Sequence, residues 1–445
     1  MKKTIRIGSG AGYSGDRIEP AVDLIQKGDL DYIIFECLAE RTIALAQLQK
    51  TQNKELGYDP LLEDRMKACL PYCVSNNVKL ISNMGAANPV AAAKKTAKIA
   101  SELGLRNIKI GAVFGDDVKS LLDFETQTLL ESGESLSVLD DKIISANAYL
   151  GVEGILSALT DGADIILTGR VADPALFLAP IIHEFDWSLS DYPLLAKGTA
   201  LGHLMECAGQ VCGGYFADGV KKQVPNLGSL GFPIAEINEE GSFFITKLRD
   251  SGGMVTPATC KEQLLYEVHD PSEYLTPNVI ADFSSISFKE MEKDKVEVSG
   301  ATGKPLTGKL KVSVGYHDGY MADAQISYGG SHVLERAKLA IEIIKERLRS
   351  MDLEVEDILF DLIGVNSLFK GNETKASPTE VRLRVAAKTK SRKEAAQLVN
   401  ELETLYTNGP AAGGGVSKTV TEIIAIQSVL IDKARVAPAV EYFKS

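Results

Sequence analysis

The chain has 445 residues, 45% hydrophobic and 24% charged, with a formal net charge of -12. It is long enough for roughly two or three domains, and its acidity argues against nucleic acid or an anionic membrane as a main partner. No apolar stretch of signal-peptide or transmembrane length occurs, and the six cysteines are scattered, so a protein of the reducing cytoplasm is expected.

Up to about residue 185 strand and helix alternate. Strands are predicted at Ile5–Ile7, Tyr32–Phe35, Val78–Ser82, Ile108–Phe114, Ile143–Ala146 and Ile165–Thr168, as near-continuous β-branched runs of the kind buried on both faces. Helical patterns at Thr42–Lys50, Leu61–Val74, Pro89–Leu103 and Gly151–Leu159 lie between them. The expectation for residues 1–185 is an α/β domain with a mostly parallel, open, Rossmann-like sheet and helices on both faces. Residues 186–320 open with a helix over Leu201–Cys207 and then read as a β-rich insertion or second domain. Strands are expected at Phe243–Leu248 and in a hairpin of Val296–Ser299 with Lys309–Val314, turning through Gly300–Gly308. Residues 321–445 read as an α+β ferredoxin-like part: strand Gln325–Tyr328, helix His332–Arg349, strands Asp357–Val365 and Glu380–Ala387, helix Ser391–Thr404 and a strand near Thr421–Ile426.

The candidate chemistry gathers at strand ends. Gly8-Ser9-Gly10-Ala11-Gly12-Tyr13-Ser14-Gly15-Asp16 follows the first strand. Glycines are needed where a chain turns tightly or a ligand meets bare backbone N–H groups. Gly10-x-Gly12-x-x-Gly15 with Glu36 matches the dinucleotide spacing. Against it, Pro20 suits a helix starting several residues after Gly15, and Asp16 would repel a pyrophosphate. Another phosphate or carboxylate ligand and a structural turn are the other readings. The second strand delivers Glu36, Cys37, Glu40 and Arg41. Either these form structural ion pairs, or a carboxylate is a general base while Arg41 holds an anion; Cys37 reads as a buried inert thiol. Asn83, Gly85 and Asn88 join a strand to a capped helix whose N-terminus suits an anion or carbonyl oxygen. Arg170 and Asp173 close another strand, the arginine as an anion clamp. Asp116 and Asp117 offer a helix cap or a share of a Mg²⁺ site. His203 and Glu206 share a helix face as an acid–base or ligand pair, or a structural one. Neither Cys69/Cys73 nor Cys207/Cys212 has a matching second pair for zinc; no metal ligands are assigned and a divalent metal stays open.

The runs IGSGAGYSGDRIEPAVDLIQKGDLDYIIFECLAERTIALAQ, GYDPLLEDRM, SNMGAANP and LTGRVADPALFLAP resemble the acyclic terpene utilisation (AtuA-like) family. The resemblance implies breakdown of acyclic terpenes through branched acyl-CoA thioesters, and a lyase role on a hydroxy-acyl-CoA. Longer relatives carry a further C-terminal region not recognised in this chain, so a separately encoded partner subunit is one expectation, beside homo-oligomerisation.

Together these readings predict an enzyme acting on an acyl-CoA or a small carboxylate, an anionic small molecule, by lyase or hydratase chemistry. Catalytic candidates are Glu36, Glu40, Arg41, His203 and Glu206. Ligand-binding candidates are Gly10, Gly12, Ser14, Gly15, Asp16, Asn83, Gly85, Asn88, Arg170 and Asp173. The alternatives are a nicotinamide-dependent oxidoreductase and a non-catalytic accessory subunit.

Overall fold

The computed structural model describes residues 4–351, 353–370 and 378–445. The chain forms two compact units, residues 1–315 with 426–445 and residues 316–425.

The first unit begins as strand and helix in alternation: β1 (Thr4–Ala11), α1 (Glu19–Lys27), β2 (Tyr32–Phe35), α2 (Glu40–Gln52), α3 (Leu62–Asn76), β3 (Lys79–Ser82), α4 (Pro89–Glu102), β4 (Lys109–Phe114), β5 (Ile143–Ala148), α5 (Glu153–Thr160), β6 (Ile165–Thr168), α6 (Asp173–Phe185) and α7 (Tyr192–Glu206). It continues through β7 (Pro233–Asn238), β8 (Phe243–Lys247), α8 (Pro257–Leu265), β9 (Tyr274–Leu275), β10 (Ile280–Asp282), β11 (Ser287–Glu292), β12 (Lys295–Ser299) and β13 (Thr302–Lys304). The long β14 (Lys309–Gly329) leads out of this unit. The second unit adds α9 (Val333–Ser350), β15 (Val355–Ile363), β16 (Glu380–Thr389) and α10 (Arg392–Asn408); β17 (Gly413–Asp432) leads back, and β18 (Ala439–Lys444) follows.

One mixed sheet orders its ten strands β11-β12-β8-β7-β1-β2-β3-β6-β4-β18. Neighbours within β1-β2-β3-β6-β4 run parallel. The strands outside that block pair antiparallel, three joining beyond β7 and β18 lying on β4. Side chains alternate along β2. Ile33 and Phe35 pack with Leu24, Ile25 and Met66 of α1 and α3, while the Tyr32 hydroxyl donates to Glu184 Oε1 of α6 at 2.6 Å. Each apolar side chain so buried contributes roughly 1.5–3 kcal/mol, an upper estimate against a compact unfolded chain.

Two expectations are corrected. The run at Ile143–Ala146 is a strand, but β5 lies outside the large sheet and pairs with β14. Its backbone is engaged by the Asp116–Val118 segment, with Val118 N–H donating to Ala146 O at 2.9 Å and Ala148 N–H to Asp116 O at 2.7 Å. The expected hairpin does not form either. In the large sheet β12 pairs with β8, where Val296 and Val298 face Ile245 and Phe243, and the Lys309 strand goes to β5. Apolar cross-strand partners decide the pairing over sequence proximity.

In the second unit the strands order β15-β16-β14-β17. Val381, Leu383 and Val385 of β16 form a core with Ala337, Ala340 and Ile344 of α9 and Leu398 and Leu402 of α10. Alternate residues point the other way: Arg384 Nε donates to Asp323 at 2.6 Å and Arg382 Nε to Gln325 at 2.7 Å.

Candidate active site

The carboxyl ends of the parallel strands deliver most of the polar side chains of interest to one edge of the sheet, the edge where ligands bind in open α/β sheets. After β1 the glycine loop is folded by its own residues. Asp16 accepts from the Gly12 N–H at 2.9 Å and from the Arg17 N–H at 2.8 Å. The fully buried Arg65 of α3 donates to the carbonyls of Tyr13, Ser14 and Asp16, and to Asp59 at 3.2 Å. A Cβ on Gly12 would sit 2.6 Å from the Cys207 backbone, and one on Gly10 2.6 Å from the Phe35 ring. These glycines allow close packing. The N–H that a diphosphate would need at Gly12 is occupied by Asp16.

After β2, Glu36 Oε1 accepts from the Leu38 N–H at 2.8 Å and from Asn83 Nδ2 at 2.9 Å. Asn83 is itself fixed by the Cys37 N–H at 2.7 Å. Burial, reinforced by the charge of Asp173, pushes the Glu36 carboxyl well above the ordinary carboxylate range, against the opposing pull of Arg170. Asp173, the first residue of α6, is 32% exposed through its side chain. It is nevertheless raised to about 7 by desolvation, with Glu206 and Glu40 adding to the rise.

Arg170 follows β6 with its donors occupied. They go to the carbonyls of Leu38 and Val171 and to Asp173, and the guanidinium lies 4.4 Å from the centre of the Tyr149 ring. Its backbone N–H donates to Asp116 at 3.0 Å, and Asn147 donates to the same carboxyl at 2.8 Å. Asp116 thus positions Arg170 rather than capping a helix, and burial raises it to about 6. A Cβ on Gly169 would meet this carboxyl at 2.3 Å. Glu40 is held by the Tyr149 hydroxyl and lies 3.4 Å from Lys311. Burial opposes its charge, but those partners outweigh burial and keep it below its usual range.

On α7, His203 is buried between Glu206 Oε1 at 2.9 Å from Nδ1 and Leu264 O at 3.1 Å from Nε2. A carbonyl can only accept, so Nε2 carries a proton. Burial disfavours the charged ring, yet Glu206 more than compensates and His203 titrates above its ordinary range.

Glu36, Glu40, Arg170, Asp173 and Glu206 line a cavity of about 470 Å³. Its walls carry the carboxyls of Glu36, Glu40, Asp173, Glu206 and Glu267, the guanidinium of Arg170, and Ser14, Thr42, Tyr149, Cys207, Gln210 and Tyr266. Among the described residues no group of three or more His, Cys, Asp or Glu is arranged to hold a metal ion. Cys37 and Cys207 are pushed far above the normal thiol range, chiefly by burial, so neither is a ready nucleophile.

The sequence model of the acyclic terpene utilisation family protein AtuA matches residues 5–442. The chain belongs to this family. No curated protein matches it. Among solved structures, the de novo designed protein Ferredog-Diesel matches 23% of this chain and 85% of its own at 18% identity and a TM-score of 0.16, too slight a likeness to bear on the fold.

In this AtuA-family chain, Gly12, Ser14, Glu36, Glu40, Arg170, Asp173 and Glu206 come together on the cavity wall, with His203 directly behind Glu206. Other sequence candidates do not line it. Arg41 is exposed on the first turn of α2. Asn88 caps α4 and ties it to the carbonyls of Lys54 and Leu56. Gly85 packs on Thr168 O, and Gly15 on the Tyr13 ring. Asn83 acts on Glu36 from behind. Arg65, Asp59 and Tyr149 were missed as site residues, and Asp116 was read as a helix cap or a share of a Mg²⁺ site rather than as a support for Arg170; the GYDPLLEDRM run that carries the family resemblance contains both Asp59 and Arg65.

Proposed function

We propose that this cavity is an acid–base site for a step of acyclic terpene utilisation, with hydratase or carbon–oxygen lyase chemistry on an acyl thioester. The observation that carries the reading is the pair Glu36 and Asp173 on one cavity wall, both raised chiefly by burial, Glu36 further by the charge of Asp173 and Asp173 further by Glu206 and Glu40, against the pull of Arg170. A neutral carboxyl beside an ionised one is the usual means of running acid and base chemistry at one pH. Glu36 Oε1 already accepts two hydrogen bonds, so the proton of its neutral form belongs on Oε2. In the elimination direction Asp173 takes a proton from the carbon next to the thioester. The released electron pair forms the C=C bond, the C–O bond breaks, and Glu36 supplies the proton that lets the hydroxyl leave as water. Hydration is the reverse.

The same walls bear on substrate choice. A free carboxylate at the reacting end faces several carboxyls, and the guanidinium expected to clamp it is already paired. A thioester puts no charge there and keeps its phosphates remote. A neighbouring recess of about 270 Å³ shares Gly12, Tyr13, Cys207 and Gln210 with the cavity and adds Tyr215, Leu230 and Phe232, which suit a hydrocarbon chain, alongside the charged Asp16 and Arg17.

Hydration of crotonyl-CoA and longer branched enoyl thioesters, followed as loss of the enoyl thioester absorbance, tests the reading. Glu36→Gln, nearly isosteric, is expected to lower kcat by at least about a hundredfold in a folded protein. Undiminished turnover in that variant would rule out Glu36 as the acid.

A further inference from the structure

Tyr215 stands where folding gains little from it. It is 84% exposed, so its ring buries little apolar area within the chain. Its φ of 62° lies in the left-handed region, where so bulky a residue is disfavoured and glycine is not. Gly213 and Gly214 precede it, yet the next position is tyrosine. The loop is nonetheless held in place. Asp218 accepts from the N–H groups of Val220, Lys221 and Lys222 at 2.8, 2.8 and 2.7 Å. Lys222 then donates to Glu262 of α8 at 2.6 Å. Tyr266, just past the end of α8, meets the Tyr215 ring edge-on at 6.5 Å between centres. Tyr266 lines the acid–base cavity, Tyr215 lines the neighbouring recess and Tyr13 lines both. The contact between the two rings thus bridges the walls of the two spaces.

We infer, resting on the thioester reading of the cavity, that Tyr215 is a specificity-determining residue: its ring packs on the acyl chain where that chain passes the reacting carbons into the recess, and so sets the chain length the site favours. Leu230 and Phe232 give the chain apolar walls there. The charged groups of the recess are engaged elsewhere, Asp16 with the N–H groups of Gly12 and Arg17, and the Arg17 guanidinium with Gly228 O. A tyrosine ring covers a large area at little cost in side-chain entropy. A chain too short to leave the cavity gains nothing from this ring. One that enters the recess gains with each methylene it buries.

Saturated thioesters test this without turnover, because they carry neither a C=C bond to hydrate nor a hydroxyl to expel. Butyryl-, hexanoyl-, octanoyl- and decanoyl-CoA share one nucleotide, so differences between their dissociation constants read the acyl chain alone. Calorimetry on the full chain is expected to show binding tightening by about tenfold or more from butyryl- to decanoyl-CoA, complete burial being worth roughly fourfold per methylene. Tyr215→Gly removes the ring and relieves the left-handed backbone together, so its unfolding midpoint is expected not to fall. In that variant the gain with chain length is expected to shrink to about threefold or less. Tyr215→Phe, which keeps the ring, is expected to retain the gain. Equal affinities across the series in the parent chain overturn the inference and leave the acid–base reading standing. So does a gain that survives in Tyr215→Gly, or one that is lost in Tyr215→Phe. If no thioester binds, the thioester reading falls and takes this inference with it.

Discussion

At the scale of single residues, burial holds on Glu36 and Asp173 the protons that water would remove. Asp173 is raised from 3.8 to about 7 by desolvation and neighbouring carboxyls. Between those values the folded state holds a proton that the unfolded chain has released, so stability falls as pH rises through this window. Above the folded value both states are ionised and the dependence ends. Asp173→Asn cannot titrate. The urea midpoint of the variant relative to the parent is therefore expected to climb from about pH 4 to about pH 7 and then level off. A constant difference across that range would show that Asp173 is not raised. Glu36 titrates with it, so the observed curve belongs to the pair.

At the scale of elements, the cavity depends on how strand ends are tied to helices. Arg65, itself fully buried, reaches from α3 to three carbonyls of the glycine loop and to Asp59. Arg65→Met keeps the apolar stem but strands Asp59 and leaves those carbonyls unmet. A loss of about 3–5 kcal/mol is expected in denaturant unfolding. Local opening of the loop should also show as faster amide exchange at Gly12 and Tyr13. A loss under about 1 kcal/mol would mean that the loop holds its own shape and Arg65 is incidental. The glycines tell the same story. Gly12 and Gly169 leave out a Cβ where Cys207 and Asp116 already stand, so the glycine pattern records close packing more than phosphate binding.

At the scale of the whole molecule, the two units draw on separate cores. Residues 316–425 bury an apolar face between the sheet and two amphipathic helices. Expressed alone, that segment is expected to give a cooperative thermal transition by circular dichroism. A gradual, non-cooperative loss of signal would mean that it depends on the rest of the chain. The first unit is completed by residues from the end of the chain, because β18 pairs with β4 from Lys109 to Phe114. Composition carries no mark of such a return.

What the sequence by itself determined was the set of local elements and the kind of residue at each strand end. Tyr32–Phe35 and Ile165–Thr168 are apolar runs that make sense only when buried, and Asn88-Pro89 announces a helix start wherever it packs. Glu36, Arg170 and Asp173 were legible for the same reason, since a charged group following a buried strand must be paired or used. Tertiary structure alone decided the partners. It placed β5 outside the large sheet and sent β12 to β8. It occupied Arg170 with Asp173 and backbone carbonyls, turned Arg41 to solvent, and set His203 against Glu206 behind the cavity wall. Hydrophobic periodicity is a property of neighbours in the chain. Pairing, desolvation and charge coupling are properties of neighbours in space, and those arise only once the strands have been ordered.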